Sequence, residues 1–141
     1  MKVLFLCTGN SCRSQMIEAL ARERWGADHE FFSAGVEAHG LNERAVLVMS
    51  GIGIDISHQR SKTVEDLGDR DFDLVITVCG DAHERCPAYL KSGIVIHKGF
   101  TDPAKADGTE EDIMGVFRSV RDELKDFVDH ELGDYLNNEP D

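Results

Sequence analysis

The sequence predicts an α/β fold: a three-layer sandwich in which helices cover both faces of a four-stranded parallel sheet. Two observations carry this. Short apolar runs without polar alternation, as expected of strands buried on both faces, recur along the chain. Between them lie segments whose apolar residues recur at helical spacing, so strands and helices alternate. The chain has 141 residues, enough for one core of this kind.

KVLFLC (residues 2–7) reads as the first strand and runs into a turn-rich segment. From Arg13 to Trp25, the residues Met16, Ile17, Leu20, Ala21 and Trp25 mark one apolar helical face, and Gly26 supplies a stop. Residues 30–33 form a second strand, closed by Ala34-Gly35. Asn42 is placed to cap a helix to Ser50, with Leu41 just before the cap. Ser61 is read as the cap of a shorter helix ending at Leu67. Strands three and four are expected over residues 72–78 and 93–97. A final helix is expected over residues 110–132, where Ile113, Val116, Phe117, Val120, Leu124, Phe127 and Val128 keep a 3.6-residue period. Residues 1–136 are read as a single domain and 137–141 as a polar tail.

Fifteen basic and 27 acidic residues leave a net charge of −12, which argues against nucleic acid as a partner and against an acidic membrane surface. No apolar run is long enough for a spanning helix, and the strand pattern begins at once, without a basic leader. A cytoplasmic location and a monomer are expected. Four cysteines in a reducing compartment point to catalysis rather than to structural disulfides; an extracellular disulfide scaffold is the alternative.

Between the first strand and first helix stands Cys7-Thr8-Gly9-Asn10-Ser11-Cys12-Arg13-Ser14. A loop of this length can curl so that successive N–H groups point inward and cradle an anion, joined by the N–H groups opening the helix. Arg13 adds a planar, permanently charged fork for two oxygens of a tetrahedral oxyanion. Cys7 then sits at the base of the cup, where the same donors stabilise a thiolate. Ser14 is placed to donate to that sulfur. Gly9 is expected to adopt dihedrals closed to other residues, and Asn10 to tolerate a left-handed conformation and brace the loop. Cys12 has no required chemical role. The bland reading is a buried cysteine beside an ordinary helix start.

Cys79 ends the third strand and Cys86 follows seven residues later. In a parallel sheet the loops after the strands share one face, so Cys79 falls on the same face as Cys7. Zinc held by Cys79, His83 and Cys86 and a pair of inert core cysteines are the other readings. Past the fourth strand, Asp102 reaches the same face, with Pro103 fixing its loop. An acid there can protonate an oxygen leaving the anion, although Thr-Asp-Pro also reads as a plain turn.

Together the pieces CTGNSCRSQM, SAGVEAHGLN, GIDIS, VITVCGDAHERCP, GFTDPAKADGTEE and FRSVRDEL resemble the thioredoxin-coupled arsenate reductases, built on the low-molecular-weight tyrosine phosphatase fold. The resemblance spans nearly the whole chain. It implies Cys7 as nucleophile, Cys79 and Cys86 as the second and third redox cysteines, Arg13 as the anion-binding arginine and Asp102 as the general acid. It implies arsenate as substrate and a relay in which a Cys7–Cys79 disulfide passes to Cys79–Cys86, which thioredoxin reduces. No cofactor or metal is expected.

The chain departs from the family in places. Lys98 stands where a tryptophan is common, and Thr101 where many members have aspartate. Some members hold potassium near the loop; the matching positions are Asn10, Glu18, Ser33, Arg60 and Lys62, and the two cationic residues argue against a bound cation. The rival function is a low-molecular-weight tyrosine phosphatase. Against it, Ala104 follows Asp102-Pro103, and the rim segment carries Ala38, His39 and Gly40 rather than aromatic residues. A non-enzymatic binding module is the third class.

Overall fold

The computed structural model describes residues 1–68, 71–80 and 94–137. Four parallel strands form one sheet in the order β2-β1-β3-β4: β1 is Lys2–Cys7, β2 Glu30–Gly35, β3 Leu74–Thr77 and β4 Ile94–His97. All of Val3 to Cys7 and all of Leu74 to Thr77 are buried. Successive strand residues point to opposite faces, so the central strands are covered on both sides, as the apolar runs predict.

Helix α1 (Arg13–Trp25) packs on β1 and β2, and α4 (Glu110–His130) packs against α1 and α2 (Glu43–Ser50). The apolar period of α4 is realised: Phe117, Val120, Leu124, Phe127 and Val128 are its buried residues. Thr109 and Asp112 form a reciprocal capping box at its start. The helix ends at His130, two residues short of expectation, because Glu131 leaves helical dihedrals (φ −120°, ψ −40°). A separate short helix, α5 (Leu132–Asn137), buries Leu132 and Leu136. The proposed tail from residue 137 overlaps its last residue, and 138–141 lie outside the described residues.

Three further expectations are corrected. Strand β2 continues through Gly35, which pairs with Cys7, because the loop after β1 packs directly on its end. Strand β3 is shorter than the apolar run 72–78, although Val78 still donates to Leu6 O at 2.9 Å. The short helix α3 (Val64–Leu67) is capped by Thr63, through a capping box with Asp66, and not by Ser61. Ser61 instead bridges Gly9 O and Gly40 N, at 3.1 Å each. Asn42 caps α2 as predicted, accepting from Arg44 N and Ala45 N.

Because all strands run the same way, Cys7, Cys79 and the segment from Lys98 to Asp102 emerge at one edge of the sheet. Lys98 does not face that edge's cavity. Its ammonium lies 5.7 Å from the Phe127 ring centre and 3.5 Å from Glu131, held against α4. Among the described residues no helix is long and apolar enough to cross a membrane.

Candidate active site

Residues 8–12 carry the chain from β1 into α1 as a tight loop wrapped around the sulfur of Cys7. Asn10 N donates to Cys7 Sγ at 3.2 Å, and Ser14 Oγ lies 2.8 Å from the same sulfur. Asn10 adopts the left-handed conformation expected of it, with φ of 48°. Gly9 does not; its φ is not positive, and a different constraint applies. The His39 imidazole is packed upon Gly9, and a Cβ there would displace that side chain. Gly35 is the stricter case, since a Cβ there would meet backbone atoms, Asn10 N and Thr8 O at 2.8 Å.

Behind the loop is a polar layer that sequence reasoning did not assemble. Asn10 Nδ2 donates to Ser14 Oγ (2.8 Å) and to Ser33 Oγ (3.0 Å). Its Oδ1 accepts from Gln15 Nε2 (2.9 Å) and from Lys62 N (3.0 Å). Gln59 Nε2 in turn donates to Gln15 Oε1 at 2.7 Å. Asn10, Ser14, Gln15 and Ser33 are fully buried, and no buried side-chain N or O among the described residues lacks a partner. A buried network of this kind rigidifies only when every member is satisfied. It also corrects the reading of α1. The first two turns are buried all round, Ser14, Gln15 and Glu18 included, because their polar side chains serve the loop and its surroundings.

Glu18 is 3% exposed and is met by Arg22 at 2.9 Å and by Lys62 Nζ at 3.9 Å. Burial holds the Lys62 ammonium below its ordinary pKa, opposed by attraction to Glu18. Lys62 Nζ also donates to Arg60 O at 3.1 Å. Protein cations thus already surround the acid of the matched potassium positions.

In front of the loop lies a cavity of about 570 Å³ lined by Cys7, Arg13, Asp102 and Cys79, with Cys12 and His39 also at its wall. The volume leaves room for a tetrahedral oxyanion together with a second sulfur. Arg13 Nη1 donates to Phe100 O at 3.0 Å, and Nη2 lies 3.5 Å from Asp102 Oδ2. The guanidinium is therefore anchored beside the candidate acid. Asp102 Oδ1 accepts from Ala104 N at 3.0 Å, so the turn reading of Thr-Asp-Pro is also realised. Cys79 Sγ lies 3.1 Å from Thr8 Oγ1. Burial pushes the Cys12 thiol up to about 11; a hydrogen bond from Ser11 opposes this, while Asp102 and Cys7 add to it.

Of the sequence-predicted site residues, Cys7, Thr8, Gly9, Ser11, Cys12, Arg13, Cys79 and Asp102 share this cavity. Asn10 and Ser14 are set behind Cys7 instead, holding its sulfur. Cys86, and with it the zinc alternative that includes His83, lies outside the described residues. Among the described residues no cluster of His, Cys, Asp and Glu is spaced to hold a metal ion. Residues missed by sequence reasoning are Gln15, Gln59 and Ser61, whose polar side chains carry no spacing signal.

A parallel sheet whose first strand ends in a cysteine held by a loop N–H, with an arginine opening the next helix and an aspartate beside that arginine, has the layout of a class of sites suited to a tetrahedral oxyanion. The chain belongs to the low molecular weight phosphotyrosine protein phosphatase family, whose model matches residues 2–139. It is similar to the arsenate reductase of Halalkalibacterium halodurans, with 51% identity over 122 residues, 86% of this chain and 88% of the relative. Similarity to the arsenate reductase of Bacillus subtilis is 48% over 131 residues, 90% and 94% of the two chains. Among solved structures, an arsenate reductase in the phosphate binding state superposes with a TM-score of 0.79 at 32% identity, covering 94% of this chain and 97% of that one.

Proposed function

We propose that this protein is an arsenate reductase whose two electrons come from Cys7 and Cys79 and are returned by thioredoxin through Cys86. The observation that carries this reading is a second thiol in the anion cavity: Cys79, 3.1 Å from Thr8, the neighbour of Cys7. Hydrolysis of a phosphoester needs one sulfur; reduction of an oxyanion needs two. The arsenate reductases to which the chain is similar support the same reading.

The proposed reaction begins at the cup. Arsenate enters the cup and is held by loop N–H groups and the Arg13 fork. The Cys7 thiolate attacks arsenic, and Asp102 protonates the departing oxygen, which leaves as water. Cys79 then attacks Cys7 Sγ; the electron pair of the sulfur–arsenic bond stays on arsenic, arsenite leaves, and a Cys7–Cys79 disulfide remains. Cys86 attacks Cys79 Sγ and frees the Cys7 thiolate. Thioredoxin reduces the Cys79–Cys86 disulfide, so the external reductant never enters the cup. A cytoplasmic location and a monomeric state complete the proposal and suit a thiol chemistry kept reduced.

A tyrosine phosphatase would use the same cup and acid. Among the described residues, however, no Phe, Tyr or Trp lines the cavity. The deciding experiment measures arsenite formed against reduced thioredoxin consumed, beside an assay with a phosphotyrosine analogue. Thioredoxin lacking its own cysteines is the control. Arsenite formation in step with thioredoxin oxidation is expected. Fast phosphoester hydrolysis without arsenite would replace the reading by the phosphatase.

A further inference from the structure

Three thiols, Cys7, Cys12 and Cys79, line one cavity, and none is joined in a disulfide. The proposed reduction uses only Cys7 and Cys79. Cys12 is 4% exposed, yet it is turned toward the reacting groups, close enough for Cys7, Asp102 and Arg13 all to act on its charge. With its ionisation pushed to about 11, it stays a neutral thiol at physiological pH and does not compete as a nucleophile.

The substrate and the product of this cavity differ in chemistry. Arsenate is an anion met by N–H donors and a guanidinium. Arsenite at neutral pH is an uncharged trihydroxide of trivalent arsenic, which is soft and takes three ligands in a pyramid around its lone pair. Soft centres prefer sulfur. We propose that reduced Cys7, Cys12 and Cys79 together form a binding site for trivalent arsenic, so that the product blocks the reduced enzyme. The reaction is condensation without electron transfer: each sulfur displaces one hydroxide of arsenic, which leaves as water with the proton of the thiol or, for the Cys7 thiolate, with one from solvent, and three sulfur–arsenic bonds form.

In the resting thiols the sulfurs are not spaced as a preformed metal-ion site. Resting on the reductase reading, Cys79 must already travel until its sulfur bonds that of Cys7, at a disulfide length of about 2 Å. An arsenic atom bridging the two sulfurs spans two bonds and asks for less travel. The site also depends on redox state. While Cys7 and Cys79 are joined in a disulfide, two of the three ligands are lost, so arsenite leaves during turnover. It returns only after the thiols are restored, and then competes with arsenate for Cys7.

The test uses the reduced full chain and sodium arsenite under anaerobic conditions, with no turnover. Arsenic-edge X-ray absorption should report three sulfur neighbours and no oxygen. Intact mass should rise by one arsenic less three hydrogens. Cys86→Ser should keep the three-sulfur signature. Cys12→Ser should fall to two sulfurs and one oxygen and bind arsenite at least tenfold more weakly, with circular dichroism confirming its fold. Two sulfurs in the wild type, or three persisting in Cys12→Ser, would overturn the site, and the wild-type measurement decides even where a variant misfolds. Arsenate reduction is assayed separately. A chain that captures arsenite through three sulfurs without reducing arsenate keeps the site and loses the reductase reading; one that reduces arsenate and captures arsenite through two does the reverse.

Discussion

Thr8 Oγ1 lies 3.1 Å from Cys79 Sγ, so the residue next to the proposed nucleophile also holds the sulfur proposed to attack it. A hydroxyl at this distance can donate to a thiolate and orient it. Thr8→Val keeps the shape and removes the donor. We expect arsenite release in a single turnover to slow by about tenfold, which corresponds to about 1.4 kcal/mol. Anion binding at the cup should change little, since the backbone N–H of residue 8 is retained. Rapid-quench arsenite measurement with phosphate-competition binding checks both halves, and an unchanged burst rate would remove Thr8 from the resolving step.

Arg13 is held by Phe100 O on one nitrogen and set beside Asp102 on another. Its fork is positioned before any anion arrives. Arg13→Lys keeps a charge and loses the planar two-pronged geometry. A fall of at least tenfold in kcat/KM for arsenate is expected, about 1.4 kcal/mol or more of transition-state stabilisation. Near-normal kinetics would separate Arg13 from anion recognition.

Part of this site could be read in the sequence. An apolar run ending at Cys7, five loop residues and Arg13 opening a helix are local features, and local features survive into the fold. Asp102 and Cys79 were placed by topology, because every parallel strand delivers its following loop to the same edge. What could not be read is the layer behind the loop. Asn10 meets Ser33 and Lys62 across 23 and 52 residues of sequence, through polar side chains that follow no period. The single apolar face expected of α1 failed for the same reason, since Gln15 and Glu18 are buried for their partners and not for their hydrophobicity. Gly9 departs from the expected backbone freedom, and the His39 side chain packed on its Cα is a tertiary contact that no local pattern announces.

Lys62 and Arg22 already meet the buried Glu18 carboxylate. A bound potassium ion would face an ammonium 3.9 Å from that carboxylate. Potassium chloride should therefore act on activity and melting temperature as sodium chloride does at equal ionic strength. A saturable, potassium-selective rise in either quantity would contradict this, because a ligand that prefers the folded state raises stability by mass action.

Burial of Cys12 makes stability depend on pH. Its pKa rises from 9.0 to about 11 on folding. Below pH 9 both states hold the proton and the contribution is constant. Between about 9 and 11 the unfolded thiol ionises while the folded one does not, so stability falls as pH rises. The full difference is on the order of 2–3 kcal/mol. Urea unfolding of the wild type and of Cys12→Ala at pH 8 and at pH 10 isolates it. The variant should lose less stability between the two pH values, and equal losses would show that burial does not hold this proton.

Variants at the three sulfurs of the proposed relay should fail at different points. Cys7→Ser should lose arsenate reduction and any phosphoester hydrolysis together, since a hydroxyl in the cup is a poor nucleophile at neutral pH. Cys79→Ser keeps the cup and Arg13, so it should still bind oxyanions and retain any phosphoester hydrolysis, yet release no arsenite, because nothing attacks the sulfur of the Cys7 adduct. Cys86→Ser should differ from both: with Cys7 and Cys79 intact it can form their disulfide once and release one equivalent of arsenite. It should then stall, because the disulfide is left in the cup and not passed outward to thioredoxin. Rapid-quench arsenite measurement on the pre-reduced variants, followed by peptide mapping of the trapped disulfides, reads the order directly. A stoichiometric burst is expected from Cys86→Ser and none from Cys79→Ser. Sustained thioredoxin-coupled turnover by Cys86→Ser, through a disulfide that avoids Cys79, would overturn the relay even in a protein that reduces arsenate.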